Sequence, residues 1–135
     1  MLVVDDDLAV ARLVRVVLER EGLRVDHVLD ATQALGMLES RRCHVVLTDY
    51  TMPEMNGLEL VRAFDSRGVQ AAFLIMSAFL EPPVALEVCS EPAVAGIIGK
   101  PFERTELVRD VRAALAARRP DGVDESAPPP GPLSS

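Results

Sequence analysis

The sequence is poor in aromatic residues, cysteine and histidine. Among 135 residues there is no tryptophan, one tyrosine and four phenylalanines, although 49% of the residues are hydrophobic, so the core must consist mainly of aliphatic side chains. The two cysteines, Cys43 and Cys89, fit no metal or redox spacing, which favours free structural thiols in a cytoplasmic protein. The two histidines, His27 and His44, form no partner pattern, and we assign them no function from sequence.

Long apolar runs and a basic amino terminus are also absent. No stretch reaches the ~20 apolar residues that a membrane-spanning helix needs, and the three acids at positions 5–7 are the opposite of the start of a signal peptide. The formal net charge is -7; residues 120–135 hold three acids and no base, which leaves about -4 for the rest of the chain. This charge disfavours nucleic acid and anionic membranes as direct partners.

Apolar strands and amphipathic helices alternate five times along the chain. This alternation predicts an α/β domain with a doubly wound parallel sheet, helices on both faces and the flavodoxin-like strand order 2-1-3-4-5. We expect the domain to cover residues 1–119, and residues 120–135, rich in proline and serine, to form a disordered tail or linker. The predicted strands cover residues 2–4, 23–29, 44–48, 71–76 and 93–98, and the predicted helices cover 8–21, 31–40, 57–66, 81–90 and 103–119.

Polar side chains stand at the carboxyl ends of four predicted strands. They are Asp5 and Asp6 after the first strand, Asp49 after the third, Ser77 after the fourth and Lys100 after the fifth. Because parallel strands end at one edge of the sheet, we expect these groups to share one pocket. Lys100 is also the only lysine beside thirteen arginines, which favours a specific role for its compact ammonium group.

The residue types in this pocket suit phosphoryl chemistry. Three neighbouring carboxylates repel one another unless a cation joins them, and oxygen-only ligands favour a hard ion, either Mg²⁺ or Mn²⁺. A carboxylate can act as a nucleophile and form an aspartyl phosphate, while a metal ion and an ammonium group neutralise the transferring group. We therefore interpret Asp49 as a phosphoryl acceptor, Ser77 as a hydrogen-bond partner of the bound group and Asp7 as a helix cap.

In these features the chain resembles a response-regulator receiver domain of bacterial two-component signalling. The resemblance covers residues 1 to about 118 and implies that Asp49 is phosphorylated by a histidine kinase, a phosphotransfer protein or a small phosphodonor. It also implies a switch that controls a downstream output protein or domain, and that catalyses at most its own phosphorylation and dephosphorylation through Asp49 and Lys100. The matching segments are Leu2-Val3-Val4-Asp5-Asp6, Asp49 with Met52-Pro53 and Gly57-Leu58-Glu59-Leu60, Ile75-Met76-Ser77-Ala78, and Lys100-Pro101-Phe102.

The resemblance implies a metal site built from four residues. Asp6 and Asp49 would bind Mg²⁺ directly, Asp5 would assist through water, and the backbone carbonyl of Thr51 would complete the protein ligands.

The resemblance also implies a phosphoryl-binding side and a partner face. Ser77, Ala78 and Lys100 would contact the phosphoryl group, and the bond from Lys100 to Pro101 would be cis. The fourth helix, the fifth strand and the fifth helix would form the partner face, through which homodimers can also form. Ile97, Pro101 and Phe102 belong to this region.

Two positions depart from the family pattern. Ile97 stands three residues before the lysine, where receivers often carry an aromatic switch residue, so we hypothesise that switching works through the loop between the fourth strand and the fourth helix. The resemblance also implies that the positions two residues past the acceptor and two past the hydroxyl, here Thr51 and Phe79, tune the loss of the phosphoryl group, and Phe79 cannot orient an attacking water and could exclude one. We therefore predict a long-lived phosphoaspartate.

Three other functions compete with a phosphoacceptor switch. An aspartyl-nucleophile phosphohydrolase needs a second acid two residues after Asp49, where this chain has Thr51. A receiver-like module that binds partners without phosphorylation is disfavoured by the complete set of pocket residues, but Ile97 leaves it open. A dinucleotide-binding domain is disfavoured because no glycine-rich turn follows the first strand.

Overall fold

Five strands and five helices alternate along the residues that the structure, a computed structural model, describes: 1–40 and 44–117. The predicted elements are all present, and the third helix has the predicted bounds. The predicted tail at 120–135, the predicted helix end at 118–119 and Cys43 lie outside the described residues. The elements are β1 (Leu2–Val4), α1 (Leu8–Glu19), β2 (Asp26–Val28), α2 (Ala31–Ser40), β3 (Val45–Asp49), α3 (Gly57–Ser66), β4 (Ala72–Ser77), α4 (Pro82–Cys89), β5 (Val94–Gly99) and α5 (Arg104–Ala117).

The five strands form one parallel sheet in the order β2-β1-β3-β4-β5, as predicted. All strands therefore end at the same edge of the sheet. β3, β4 and β5 each run one residue further than predicted, so that Asp49 and Ser77 are strand residues and not loop residues. Ladder hydrogen bonds thus hold the backbone of both residues in place.

The second strand is shorter than predicted. The pattern indicated residues 23–29, but β2 contains three residues, because its ladder partner β1 also contains three and the register pairs Leu2 with Asp26 and Val4 with Val28. The length of β2 is therefore set by its neighbour.

Apolar side chains fill both faces of the sheet. One face packs against α2, α3 and α4, and there the rings of Phe64 and Phe73 stack with centroids 5.5 Å apart. The other face packs against α1 and α5. The largest fully buried side chains are otherwise aliphatic or methionine, in agreement with the composition. No helix in the described ranges is long and apolar enough to cross a bilayer, and Cys89, on the surface of α4, is a free thiol.

The connection from β3 to α3 is tightly packed behind Asp49. A Cβ atom added to Gly57 would lie 2.9 Å from the backbone oxygen of Asp49 and 3.1 Å from the Cα of Tyr50. Asn56 caps α3 by accepting a hydrogen bond from the Glu59 amide, and the Glu59 carboxylate accepts one from the Asn56 amide, both at 2.8 Å. This close approach places the start of α3 directly against the end of β3.

Candidate functional site

Three carboxylates converge at the carboxyl edge of the sheet. Asp5 follows β1 and is fully buried, Asp49 ends β3 and is 9% exposed, and Asp6 is exposed to solvent. One oxygen from each lies within 4.8 Å of the others. The structure therefore brings together the three acids that the sequence singled out.

Lys100 joins two of these acids from the far side of β4. Its Nζ lies 3.2 Å from Oδ2 of Asp5 and 3.3 Å from Oδ1 of Asp49. The peptide bond to Pro101 is cis, as the resemblance implies. Because one ammonium faces three carboxylates, two negative charges remain uncompensated within this cluster.

The environment of the pocket raises the pKa values of both Asp49 and Lys100, which opposes the charged form of the acid and favours the charged form of the base. Burial, followed by the charge of Asp5, raises the pKa of Asp49 above its ordinary value, against the opposing effects of Lys100 and of a hydrogen bond from the Thr51 amide. Burial works to lower the pKa of Lys100, but the charges of Asp5 and Asp49 outweigh it and raise that pKa. Lys100 is therefore a permanent cation at neutral pH, whereas ionisation of Asp49 is opposed.

Asp5 has its polar atoms engaged by the protein. Its Oδ1 accepts a hydrogen bond from the Asp7 amide at 2.8 Å, and its Oδ2 faces Lys100. Asp7 caps α1, as interpreted from the sequence, by accepting hydrogen bonds from the amides of Ala9 and Val10. Asp5 is thus rigidly held, while the exposed Asp6 is the acid of this loop that faces water.

Ser77 ends β4 beside Lys100, but its hydroxyl is turned onto its own loop. The backbone amide of Lys100 donates to the Ser77 carbonyl at 2.9 Å. The Ser77 hydroxyl donates to the carbonyl of Phe79 at 3.0 Å and accepts from the Phe79 amide at 3.2 Å. Ala78 and Phe79 are both exposed.

The remaining predicted residues lie around the pocket or in the apolar layers. Thr51, two residues after the end of β3, is exposed. Ile97 is half-buried in the layer that contains α2, α3 and α4, and Phe102 packs in the layer of α1 and α5. Pro101 is exposed. Of these positions, Thr51 contacts the acid cluster through the hydrogen bond from its amide to Asp49, and Ile97 and Phe102 belong to the apolar layers.

His27 was missed by sequence reasoning. It lies on β2 in register with Val3, and its Nε2 is 3.0 Å from the backbone oxygen of Asp5. No sequence motif marks this contact, because it depends on the pairing of β1 with β2.

The residues present fit a small, hard divalent cation. The donor set is entirely oxygen, one of its acids is open to water, and two negative charges remain after Lys100 is counted. Mg²⁺ favours such ligands and retains several waters when bound.

Comparison with known proteins places the chain in a family. The family model of the response regulator receiver domain matches residues 1–112. The chain belongs to the response-regulator receiver family. This receiver is 34% identical over 127 residues to the transcriptional regulatory protein FixJ of Azorhizobium caulinodans, covering 93% of the chain and 59% of FixJ. It is 36% identical over 129 residues to the response regulator MprA of Mycolicibacterium vanbaalenii, covering 94% of the chain and 55% of MprA.

Solved structures show the same fold. The chemotaxis response regulator CheY4 of Vibrio cholerae superimposes with a TM-score of 0.77 at 25% identity, over 84% of this chain and 95% of CheY4. The receiver spans a little over half the length of the curated relatives FixJ and MprA. The match thus covers nearly all of the solved CheY4 chain but only part of FixJ and MprA.

Proposed function

We propose that this receiver is a phosphoacceptor switch in which Asp49 takes up a phosphoryl group in a Mg²⁺-dependent reaction. The observation that carries the proposal is the convergence of Asp5, Asp6 and Asp49 at one point, with the Lys100 ammonium bridging two of them. A buried structural ion pair needs one acid and one base. Two further acids are present here, and one of them, Asp6, faces solvent. A bound ion and a transferred phosphoryl group explain this arrangement better than a structural ion pair does.

Asp49 is the proposed nucleophile. Burial and the neighbouring Asp5 raise its pKa, so its ionised form is more basic than a surface carboxylate and correspondingly more nucleophilic. One oxygen of the ionised carboxylate forms a bond to phosphorus while the bond from phosphorus to the donor's imidazole nitrogen breaks. The electron pair of that bond stays on the nitrogen; with acetyl phosphate it stays on the acetate oxygen.

The other charged groups neutralise the transferring phosphoryl group. Asp6 and Asp49, with Asp5 behind them and the Thr51 carbonyl beside them, would hold Mg²⁺, which when bound supplies positive charge to the phosphoryl oxygens. Lys100, whose Nζ lies 3.3 Å from Oδ1 of Asp49, is placed to pair with a phosphoryl oxygen once Asp49 carries the acyl phosphate. Ser77 donates its hydroxyl to the same group after leaving Phe79.

The proposed partners are a phosphodonor and an output protein or domain. Three apolar side chains of α1, the helix that begins directly after the acidic loop, are about half exposed and offer a docking surface for a histidine kinase or phosphotransfer protein; they are Leu8, Leu13 and Val16. Leu86 of α4 is 70% exposed beside the edge strand β5, which supports the surface of α4, β5 and α5 as the output or homodimer face.

Light scattering of wild type and Leu86→Glu, each with beryllofluoride, tests the proposed homodimer: a wild type that stays monomeric would contradict it. The free thiol of Cys89 is consistent with action in the cytoplasm.

The test is labelling with acetyl phosphate and Mg²⁺, followed by intact mass spectrometry. Wild type should gain one phosphoryl group that hydroxylamine removes, because an acyl phosphate reacts with this nucleophile. Asp49→Asn should gain none, since an amide is not nucleophilic here. Asp65→Asn, the same chemical change on the exposed surface of α3, is the matched control and should label like wild type.

Two results would contradict the proposal. Equal labelling of Asp49→Asn would place the acceptor elsewhere. An unlabelled wild type, both with acetyl phosphate and with kinases purified from the same cells, would favour a module that binds partners without phosphorylation.

A further inference from the structure

His27 contacts the backbone of the acidic loop. Its Nε2 lies 3.0 Å from the carbonyl oxygen of Asp5, in a partly buried position. A carbonyl oxygen can only accept, so Nε2 is the donor and must carry a hydrogen. This contact involves none of the groups to which the proposed reaction assigns a role.

The His27 ring continues a hydrogen-bond ladder beyond the end of its strand. The pairing of β1 with β2 runs to the Asp5 amide, which donates to the Val28 carbonyl at 3.2 Å. β2 ends at Val28 and the chain turns into α2, whereas the next acceptor on β1 is the Asp5 carbonyl. The ring, one residue before the end of β2, supplies the donor at that point.

The Asp5 carbonyl belongs to the peptide group that joins Asp5 to Asp6. The peptide group is planar, and the Cα atom of Asp6 lies in its plane. Holding the carbonyl oxygen therefore fixes the orientation of the plane and the position of the Asp6 Cα. The Asp5 side chain is held separately by the Asp7 amide and Lys100. Asp6 is the least buried of the three acids, so the direction of its carboxylate depends most on the orientation of its backbone.

We propose that His27 is a positioning residue for the metal site: its Nε2–H bond to the Asp5 carbonyl sets the peptide plane that directs the Asp6 carboxylate toward Asp49. The inference rests on the proposed function, because it concerns the ion that the three acids would hold. Partners that orient metal ligands typically change metal affinity by 10- to 100-fold when removed. An effect through the backbone belongs at the lower end of that range.

The test is a Mg²⁺ titration of the unphosphorylated protein by calorimetry. His27→Phe keeps a flat ring suited to an edge strand but removes the donor, and should raise the Mg²⁺ dissociation constant about tenfold. His27→Gln offers an amide N–H at similar reach and should restore most of the affinity. The matched control is His44→Phe, which should bind Mg²⁺ like wild type. His44 stands directly before β3, at the amino ends of the strands, and the pocket lies at their carboxyl ends.

A second measurement keeps the inference independent of folding losses. In wild type, long-range ¹H–¹⁵N spectra of the His27 ring should show Nε2 protonated; a ring without hydrogen on Nε2 would overturn the inference. Unchanged Mg²⁺ affinity in His27→Phe, or equal losses in the Phe and Gln variants, would also overturn it. A wild type that binds Mg²⁺ but takes no phosphoryl group would contradict the proposed function while leaving this positioning role intact.

Discussion

At the scale of single residues, Asp49 is held in an environment that opposes its charge. It is 9% exposed, and its burial and the nearby Asp5 raise its pKa against the attraction of Lys100. Compared with the unfolded chain, the folded protein therefore favours the protonated form of Asp49. The resulting contribution to the free energy of unfolding is present at low pH and is lost as the pH rises through the folded-state pKa. The same unfavourable charge supports the proposal that this pocket binds a cation.

Replacing Asp49 by asparagine should therefore stabilise the metal-free protein at neutral pH. In EDTA at pH 7, we expect Asp49→Asn to be more stable than wild type by on the order of 1 kcal/mol, the typical size of the effect of a single substitution. The gap should close as the pH falls toward the ordinary value of 3.8, where wild type is also protonated. Urea unfolding across this pH range measures it, with Asp65→Asn as the surface control. A less stable Asp49→Asn protein at pH 7 would mean that the Lys100 attraction dominates.

Phe79 is a second residue with a distinct expectation. Its side chain has no polar atom and is 75% exposed at the rim of the pocket, so it can neither orient nor activate a water near the phosphorylated Asp49. We expect a slow loss of the phosphoryl group in wild type and a severalfold faster loss in Phe79→Gln, whose amide can hold a water.

The decay of phosphate from Asp49, followed after removal of acetyl phosphate, measures this difference. Leu86→Gln is the matched control, because Leu86 is similarly exposed at 70% but lies on α4. A wild-type half-life of seconds, or equal decay in Phe79→Gln and wild type, would be inconsistent with this role.

At the scale of elements, the close packing of the start of α3 against the end of β3 requires that Gly57 has no side chain. Its Cβ would meet backbone atoms of Asp49 and Tyr50, which cannot rotate away. Gly57→Ala should thus lower the free energy of unfolding by about 1–3 kcal/mol, the usual cost of overpacking, and reduce labelling of Asp49.

A second glycine provides the contrast. Gly36 lies inside α2, and a Cβ there would meet nothing within 4 Å. Gly36→Ala should stabilise the protein by up to ~1 kcal/mol because alanine favours helix, and should leave labelling unchanged. Equal effects of the two substitutions in urea unfolding would exclude the close approach as the cause.

The β4–α4 loop is the element best suited to report phosphorylation. The Ser77 hydroxyl closes onto Phe79, and α4 is held mainly by the buried Val88 and by Arg62, which pairs with Glu87 at 3.2 Å and Glu91 at 3.5 Å. These contacts lie toward the carboxyl end of α4, whereas its amino half packs only through partly buried side chains such as Val84, so we expect the amino end to move when Ser77 turns to a phosphoryl group.

Beryllofluoride, which mimics the phosphoryl group, should therefore shift backbone amide resonances of residues 78–90, most strongly before Val88. Ser77→Ala should reduce these shifts because the hydroxyl that couples the loop to the pocket is removed. Asp49→Asn with the same reagent is the blank. Unchanged amides throughout 78–90 in wild type would rule out this loop as the switch.

At the scale of the whole molecule, the described core is closed within the first 114 residues. The last fully buried side chains are Leu107, Val111 and Ala114 of α5. Residues 120–135 are rich in proline and serine, so a chain that ends after Arg119 should match the full chain within about 0.5 kcal/mol in urea unfolding, the usual range for changes away from the core. A chain that ends after Val108 loses Val111 and Ala114 and should not fold. A large loss on removing only 120–135 would show that this segment packs on the domain.

The sequence by itself determined the order and type of the elements and the composition of the pocket. Apolar periodicity is a local property, so segments such as Gly57–Ser66 could be assigned without contacts. The strand order followed from the alternation of strands and helices, and that order placed Asp5, Asp49 and Lys100 at one edge.

Only the tertiary structure decided what depends on register and on side-chain direction. The length of β2 follows from its pairing with a three-residue β1, and the same register brings His27 to the Asp5 carbonyl. The tertiary structure also determines that the Ser77 hydroxyl bonds the Phe79 carbonyl and that Lys100 bridges Asp5 and Asp49. Such contacts join residues up to 95 positions apart, and no local pattern encodes them, because each depends on how two separately formed elements pack.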